Sequence, residues 1–166
     1  MARNSTATKN ISLTSRSPED TQRLGGIIGE LVQPGNVLLL TGNLGAGKTC
    51  LTQGIAAGLG SQECAQSPSF VIMREYMGRL PLYHVDLYRL ENSEEIADLG
   101  LDDYFYGKGL SVVEWAERAL HLLPSQHLLV NIEYGRGNER NVSLTASDKR
   151  YQQIAEEIKK RYGEAS

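Results

Sequence analysis

Apolar residues recur along this chain in two spacings, one typical of strands and one typical of helices. Residues 11–14 alternate apolar and polar side chains, which predicts a short edge strand. A helix then begins at Ser17 and Pro18, a favourable N-cap and first helical residue, and ends before Pro34. Residues 148–162 place apolar and tyrosine side chains on one face, which predicts a C-terminal helix.

Between these helices, apolar runs predict the strands of a central sheet. Residues 71–76 and 80–90 flank Gly78 and predict a β-hairpin or two neighbouring strands, followed by a short helix capped by Ser93. Strands and helices in this order indicate an α/β fold, with three layers and a central mixed β-sheet flanked by helices. The remaining strands are predicted at residues 37–40, 110–113, 128–132 and 141–144.

The most specific signal lies between the strand at 37–40 and a helix predicted over 48–59. It reads Gly-Asn-Leu-Gly-Ala-Gly-Lys-Thr and matches the phosphate-binding P-loop at every position. Its glycines allow backbone N–H groups to surround a polyphosphate at a helix N-terminus. We expect Lys48 to contact the β- and γ-phosphates and Thr49 to bind Mg²⁺. We assign nucleotide binding to Gly42, Asn43, Leu44, Gly45, Ala46, Gly47, Lys48, Thr49 and Cys50.

Two carboxylates are candidates to complete such a site. Glu114 ends a buried strand, where an acid can hold Mg²⁺ directly or through water; the alternative is a solvated strand end. Asp86 lies in the middle of a predicted strand, where a carboxylate needs a partner or a function. It either acts on metal-bound or attacking water, or pairs with His84 or Arg89. We expect Lys48, Asp86 and Glu114 to be catalytic, and Thr49, Glu114 and Asp86 to hold the metal.

Other side chains near these motifs leave two interpretations open. His84 is within reach of Asp86 and is either a structural histidine or a catalytic one. Trp115 is either part of the core or a contact surface. Arg136 and Arg140 occupy a Gly-rich loop, where they either bind phosphate or are solvated.

Two further segments are candidates for a functional role. Ser69, in the segment Ser-Pro-Ser-Phe at 67–70, follows the P-loop helix where a switch loop lies, and can meet Mg²⁺ or the γ-phosphate. Three glycines of the first helix indicate either close packing or room for a nucleotide base. They are Gly25, Gly26 and Gly29.

Composition bounds the remaining choices. The 166 residues suffice for one domain, which we place at 11–166 after a flexible N-terminal tail at 1–10. A net charge of −3 provides no electrostatic footprint for direct nucleic-acid binding. No apolar run approaches the roughly 18–20 residues that span a bilayer, and no signal-peptide core follows the first residues. The two cysteines lack metal-ligand spacing, so we expect a cytoplasmic protein that does not contact a membrane.

Taken together, four motifs in this order resemble the TsaE (YjeE) family. They are the P-loop from Leu40 to Thr49, Ser-Pro-Ser-Phe at 67–70, Tyr-His-Val-Asp-Leu-Tyr-Arg-Leu at 83–90, and Val-Glu-Trp at 113–115. The resemblance spans roughly residues 17–140, with Asn43 where the family commonly carries Asp and Ser69 where it commonly carries Thr. Lys48, Thr49, Asp86 and Glu114 match the family's phosphate, Mg²⁺ and acidic positions.

This resemblance implies a three-layer P-loop NTPase fold and a weak ATPase with ATP and Mg²⁺ as cofactors. It also implies work in complex with TsaB and TsaD, in which TsaD attaches a threonylcarbamoyl group to adenosine 37 of ANN-decoding tRNAs. ATP hydrolysis would reset that complex between turnovers, and tRNA would be met only through the complex.

Two other functions remain open on the same scaffold, because a fold does not fix a function. One is a small-molecule kinase, for which only Arg136 and Arg140 offer phosphate-clamping arginines. The other is a nucleotide-gated binding module with little turnover. A GTPase is disfavoured, since the sequence has no Asn-Lys-x-Asp motif for reading guanine.

Overall fold

A seven-stranded mixed sheet forms the centre of the molecule in the computed structural model, which describes residues 9–66 and 72–164. The strands are β1 (Lys9–Ser15), β2 (Val37–Thr41), β3 (Met73–Met77), β4 (Pro81–Asp86), β5 (Leu110–Glu114), β6 (Leu128–Tyr134) and β7 (Arg140–Ala146). The helices are α1 (Pro18–Leu31), α2 (Lys48–Gly58), α3 (Ser93–Ala97), α4 (Asp102–Phe105) and α5 (Lys149–Glu164), with 3-10 turns at Ala116–Arg118 and Leu120–Leu122.

Strand order determines which residues meet at the edge of the sheet. The order is β1-β7-β6-β2-β5-β4-β3; β2 pairs in parallel with β5 and β6, and β4 in parallel with β5. The outer pairs β1–β7, β6–β7 and β3–β4 are antiparallel. Parallel strands end at the same edge, so the carboxyl ends of β2, β4 and β5 lie side by side. They bring Thr41, Asp86 and Glu114 to one edge.

Both faces of the sheet are covered, which explains the unbroken apolar run of β2. Leu38 and Leu40 pack on one side in a core shared with α1, α2 and α5. Val37 and Leu39 pack on the other side, against α3, α4 and the 3-10 turns. A strand buried on both faces cannot alternate apolar with polar residues. The predicted three-layer α/β architecture is confirmed.

Close approach of α1 to α2 accounts for the glycines of α1. A Cβ added at Gly25 would lie 2.8 Å from the backbone nitrogen of Ile55 and 2.9 Å from the Cα of Gly54. A Cβ at Gly29 would lie 3.0 Å from the Cα of Gly58. The two helices therefore touch through their backbones, and close packing is the reading that the structure supports.

Several element boundaries differ from the predicted ones. β1 begins at Lys9, so the last two residues of the predicted tail pair with β7. β4 ends at Asp86 instead of continuing to residue 90, so Asp86 ends its strand and does not lie in its middle. The cap of α3 is Asn92, whose side chain accepts from the N–H of Glu95, and Ser93 is the first helical residue. Helix α4 was not predicted, and the segment 67–70 with Ser69 lies outside the described residues.

The α1–α2 contact makes a prediction about stability. Gly25→Ala should lower the free energy of unfolding by about 1–3 kcal/mol, because the methyl group overpacks a backbone contact. Urea denaturation monitored by circular dichroism measures this change. Gly26→Ala is the matched control, since its Cβ would lie 3.9 Å from the Gly54 carbonyl oxygen. It should be neutral or stabilise by up to about 1 kcal/mol through helix propensity. Equal stability of the two variants would contradict the packing explanation.

Candidate functional site

The P-loop connects the end of β2 to the start of α2 at the edge of the sheet. Gly45 and Gly47 have φ angles of 78° and 118°, a region that side chains with a Cβ rarely adopt. Ala46 N–H donates to the Asn43 carbonyl at 3.1 Å, and Gly47 is the N-cap of α2. The loop therefore presents its backbone at a helix N-terminus, where the helix dipole favours an anion.

The loop between β6 and β7 supports the P-loop from one side. Tyr134 donates its hydroxyl to the Leu44 carbonyl at 2.7 Å. Arg140 donates its Nε to the Ala46 carbonyl at 3.1 Å and stacks 4.6 Å from the centre of the Tyr134 ring. Sequence reasoning missed Tyr134 and treated Arg140 only as a phosphate ligand or a solvated side chain. In the structure Arg140 holds one P-loop carbonyl group, that of Ala46, and Arg136 is exposed.

Lys48 is almost fully buried beneath the P-loop. Its Nζ donates to the carbonyls of Gly42 at 2.6 Å and Asn43 at 3.0 Å. Burial lowers the pKa of the Lys48 ammonium, against the opposing effect of the Glu117, Glu114 and Asp86 carboxylates. The ammonium group is thus held inside the loop that the sequence assigns to phosphate.

Trp115 forms the other side of the lysine pocket. The Lys48 Nζ lies 3.9 Å from the centre of the Trp115 ring, within the range of a cation–π contact. Trp115 has φ of 59°, and no other non-glycine residue in the described part of the chain has a positive φ. Its ring packs on Tyr88 with centroids 4.9 Å apart. Trp115 is partly buried and packs against the core, as one of its two predicted readings held, and its contact with Lys48 was not predicted.

Glu114 is the buried acid of the site. It ends β5 with 2% of its surface exposed, so it is not a solvated strand end. Its Oε1 accepts from the Thr49 hydroxyl at 3.0 Å, and its Oε2 contacts the Nε2 of His84. A buried carboxyl group needs hydrogen-bonding partners, and here each oxygen has one.

Asp86 lies beside Glu114 at the end of the neighbouring strand. The two residues are register partners across β4 and β5. Asp86 is half-buried, and its Oδ1 accepts from the Tyr88 N–H at 2.9 Å. Because His84 contacts Glu114, the sequence-based pairing of His84 with Asp86 is wrong. The structure does bring Lys48, Thr49, Asp86 and Glu114 to one place.

Cys50 faces a small cleft of about 170 Å³ beside the P-loop. Its thiol donates to the Pro18 carbonyl at 3.3 Å, and burial, with the Glu19 carboxylate, raises the pKa of the thiol. Sequence reasoning treated the start of α1 only as a helix cap, although it forms one wall of this cleft. The residues lining the cleft are Ser17, Pro18, Thr21, Gly45, Ala46, Gly47, Cys50, Asn138 and Arg140.

The donor set at this site fits a magnesium–polyphosphate complex. Thr49 and Glu114 offer only oxygen ligands, which Mg²⁺ prefers, and Mg²⁺ usually binds one or two carboxylates together with substrate phosphates. Within residues 9–66 and 72–164, no group of three His, Cys, Asp or Glu side chains is arranged to hold a metal alone. The chemistry that this arrangement suits is charge neutralisation and positioning of a phosphate chain.

Comparison with known proteins identifies the family of this chain. The model of the family "Threonylcarbamoyl adenosine biosynthesis protein TsaE" matches residues 15–142. The tRNA threonylcarbamoyladenosine biosynthesis protein TsaE of Bacillus subtilis is 42% identical over 151 residues, covering 90% of this chain and 94% of the relative. The protein of the same name from Treponema pallidum is 42% identical over 130 residues, covering 78% of this chain and 96% of the relative.

A solved structure extends the likeness to the fold. The crystal structure of Bacillus subtilis YdiB superposes with a TM-score of 0.82 at 37% identity, covering 95% of this chain and 99% of the other. Among the described residues, no helix is long and apolar enough to cross a membrane. The family model covers the P-loop, Asp86, Glu114 and Arg140, the residues that build the site. This chain belongs to the TsaE family of threonylcarbamoyladenosine biosynthesis proteins, which act in the t6A modification of tRNA.

Proposed function

We propose that this protein binds and hydrolyses ATP as the accessory ATPase of a TsaB–TsaD complex that forms N6-threonylcarbamoyladenosine at position 37 of ANN-decoding tRNAs. The observation that carries the proposal is the hydrogen bond from the Thr49 hydroxyl of the P-loop to Glu114. It brings together two oxygen ligands of the kind that hold Mg²⁺ beside a phosphate chain. Asp86 lies next to Glu114 in the sheet and supplies a second carboxylate at the same edge.

Each group of the site has a distinct role in this proposal. The backbone N–H groups of the P-loop bind the phosphate oxygens, and Lys48 leaves its loop carbonyls to neutralise charge on the β- and γ-phosphates. Asp86 orients the water that attacks the γ-phosphate, in line with the leaving ADP. Thr49 and Glu114 would hold Mg²⁺, which would offset the negative charge of the phosphate chain.

The side chains around the P-loop favour hydrolysis of ATP by water over transfer of its γ-phosphate to a metabolite. Kinases need an acceptor pocket and arginines that close over the transferred phosphate. Here the Nε of Arg140 donates to the Ala46 carbonyl of the P-loop, and Arg136 is exposed on the surface. Hydrolysis needs no acceptor pocket, because water is the acceptor and a carboxylate beside the site can orient it. The partners TsaB and TsaD would then provide the tRNA-contacting surface that a chain of net charge −3 lacks.

Removing the P-loop lysine tests the assignment of the nucleotide site. Lys48→Ala should lower ATP turnover by about 100-fold, the usual cost of losing one preorganised charge donor at a reacting phosphate. Release of inorganic phosphate from Mg-ATP, measured with a coupled absorbance assay, gives the rate. Lys160→Ala, which removes an exposed lysine of α5, is the matched control and should keep the rate of the unaltered protein. Unchanged turnover in Lys48→Ala would refute the P-loop assignment.

Trp115 is the only tryptophan of the chain, so its fluorescence reports on the lysine pocket. Adding ATP should change the emission with a saturable dose response. The reason is that Lys48 would leave the Trp115 ring and the loop carbonyls and contact phosphate oxygens instead. Lys48→Ala should shift the emission of the nucleotide-free protein and remove the ATP-dependent change. An ATP response of full size in Lys48→Ala would show that the signal arises elsewhere.

The partner claim requires reconstitution. With TsaB, TsaD, tRNA and a threonylcarbamoyl donor, this protein and ATP should allow each TsaD molecule to modify more than one tRNA, and ATP consumption should rise above that of the isolated chain. Counting modified adenosines per TsaD by mass spectrometry measures this. Lys48→Ala is the matched control and should leave a single round. Absence of a complex on gel filtration, together with unstimulated ATP consumption, would contradict the accessory role.

A further inference from the structure

We propose that His84 is a positioning residue, which fixes the carboxyl group of Glu114 so that one oxygen faces Thr49 and the metal. This inference rests on the function proposed above and gives His84, a hydrogen-bonding neighbour of Glu114, a role in metal binding. Three observations carry it: the burial of the ring, the division of the Glu114 oxygens between two partners, and the lack of a hydrogen-bond partner for the second ring nitrogen within the described residues.

The first observation is where the histidine lies. His84 occupies β4, opposite Val112 of β5, and none of its surface is exposed. Its neighbour Leu82, on the same face of the strand, packs in the core with α1 and α2. An apolar side chain would fill such a position without burying polar atoms, so an imidazole there carries a desolvation cost that packing alone does not require.

The second observation is how the carboxyl group is held. Glu114 Oε2 contacts the Nε2 of His84, while Oε1 accepts from the Thr49 hydroxyl at 3.0 Å. A glutamate side chain held at one oxygen can still turn about its terminal torsion, which has a broad range of angles. A second donor at the other oxygen fixes the plane of the group. With His84 in place, Oε1 is presented on the side of the P-loop.

The third observation concerns the proton. His84 Nδ1 is buried and has no hydrogen-bond partner among the residues that the structure describes. A proton on Nδ1 would therefore be a buried donor without an acceptor, which is costly. A proton on Nε2 is donated to Glu114 instead and leaves Nδ1 as a lone pair. The contact thus has a direction: the imidazole N–H donates and the carboxylate accepts.

Hydrogen bonds to a metal-binding carboxylate typically change metal affinity by about 10- to 100-fold when they are removed. His84 should accordingly control how much Mg²⁺ tightens nucleotide binding, and it should have little effect on nucleotide binding without metal. Lys48, which is proposed to bind the phosphates, donates to the Gly42 and Asn43 carbonyls, and neither of these hydrogen bonds involves His84.

The test compares His84→Gln with His84→Asn, two amides that differ in reach. The glutamine amide can place its N–H₂ near the position of the imidazole Nε2, and the asparagine amide is too short. ADP affinity is measured by isothermal titration calorimetry in EDTA and again in saturating Mg²⁺, and the ratio of the two affinities is the magnesium gain. Expected results are a gain near that of the unaltered protein in His84→Gln and a gain reduced by about 10-fold in His84→Asn.

Different results would refute the proposed metal site and the proposed role of His84. If Mg²⁺ does not tighten ADP binding to the unaltered protein, the proposed metal site fails. If the unaltered protein shows the gain and His84→Asn keeps all of it, the role of His84 is overturned while the metal site stands. The role is also overturned if His84→Gln loses the gain as fully as His84→Asn, since the hydrogen bond would then be irrelevant. His84→Leu should match His84→Asn, and ADP binding in EDTA shows that each variant is folded.

Discussion

The Glu114 carboxyl group lies almost entirely out of water, and the structure around the site is organised to satisfy it. A buried carboxyl without partners would be costly, so donors must come from neighbouring elements. One donor comes from Thr49 at the start of α2, and the other from His84 on β4. Because these two residues lie on different elements, the position of Glu114 couples the P-loop helix to the sheet. The parallel pairing of β5 with β2 on one side and with β4 on the other makes that coupling geometrically possible.

The P-loop is held from two sides by contacts that use different chemistry. On one side, Tyr134 and Arg140 donate hydrogen bonds to P-loop carbonyls. On the other side, Trp115 offers its ring face to the buried ammonium of Lys48. Trp115 also adopts a left-handed backbone conformation that costs energy for a bulky residue, a feature that clusters at functional sites. Preorganisation of the loop by both sides suits a site whose chemistry consists mainly of positioning and charge.

Much of the fold follows from the spacing of apolar residues. The helices Pro18–Leu31 and Lys149–Glu164 lie within a few residues of their predicted positions because their apolar residues recur at helical spacing. The strand Val37–Thr41 was located by a short apolar run that ends at turn residues. Errors arose where a single hydrogen bond decides a boundary. β4 ends at Asp86, where the chain turns and the Asp86 side chain accepts from the Tyr88 N–H. The cap of α3 moved by one residue to Asn92 for a similar reason.

By itself, the sequence determined the identity of the loop, the family, and the candidate residues Lys48, Thr49, Asp86 and Glu114. These depend on residue types at fixed spacing, and that spacing can be seen in the sequence without knowledge of the fold. Only the tertiary structure decided which side chains meet. Strand order and contacts between residues 30 to 94 positions apart determine these pairings. They are the contacts of His84 with Glu114, of Trp115 with Lys48 and of Arg140 with Ala46. Such pairings depend on how the sheet is assembled, and no local pattern encodes them.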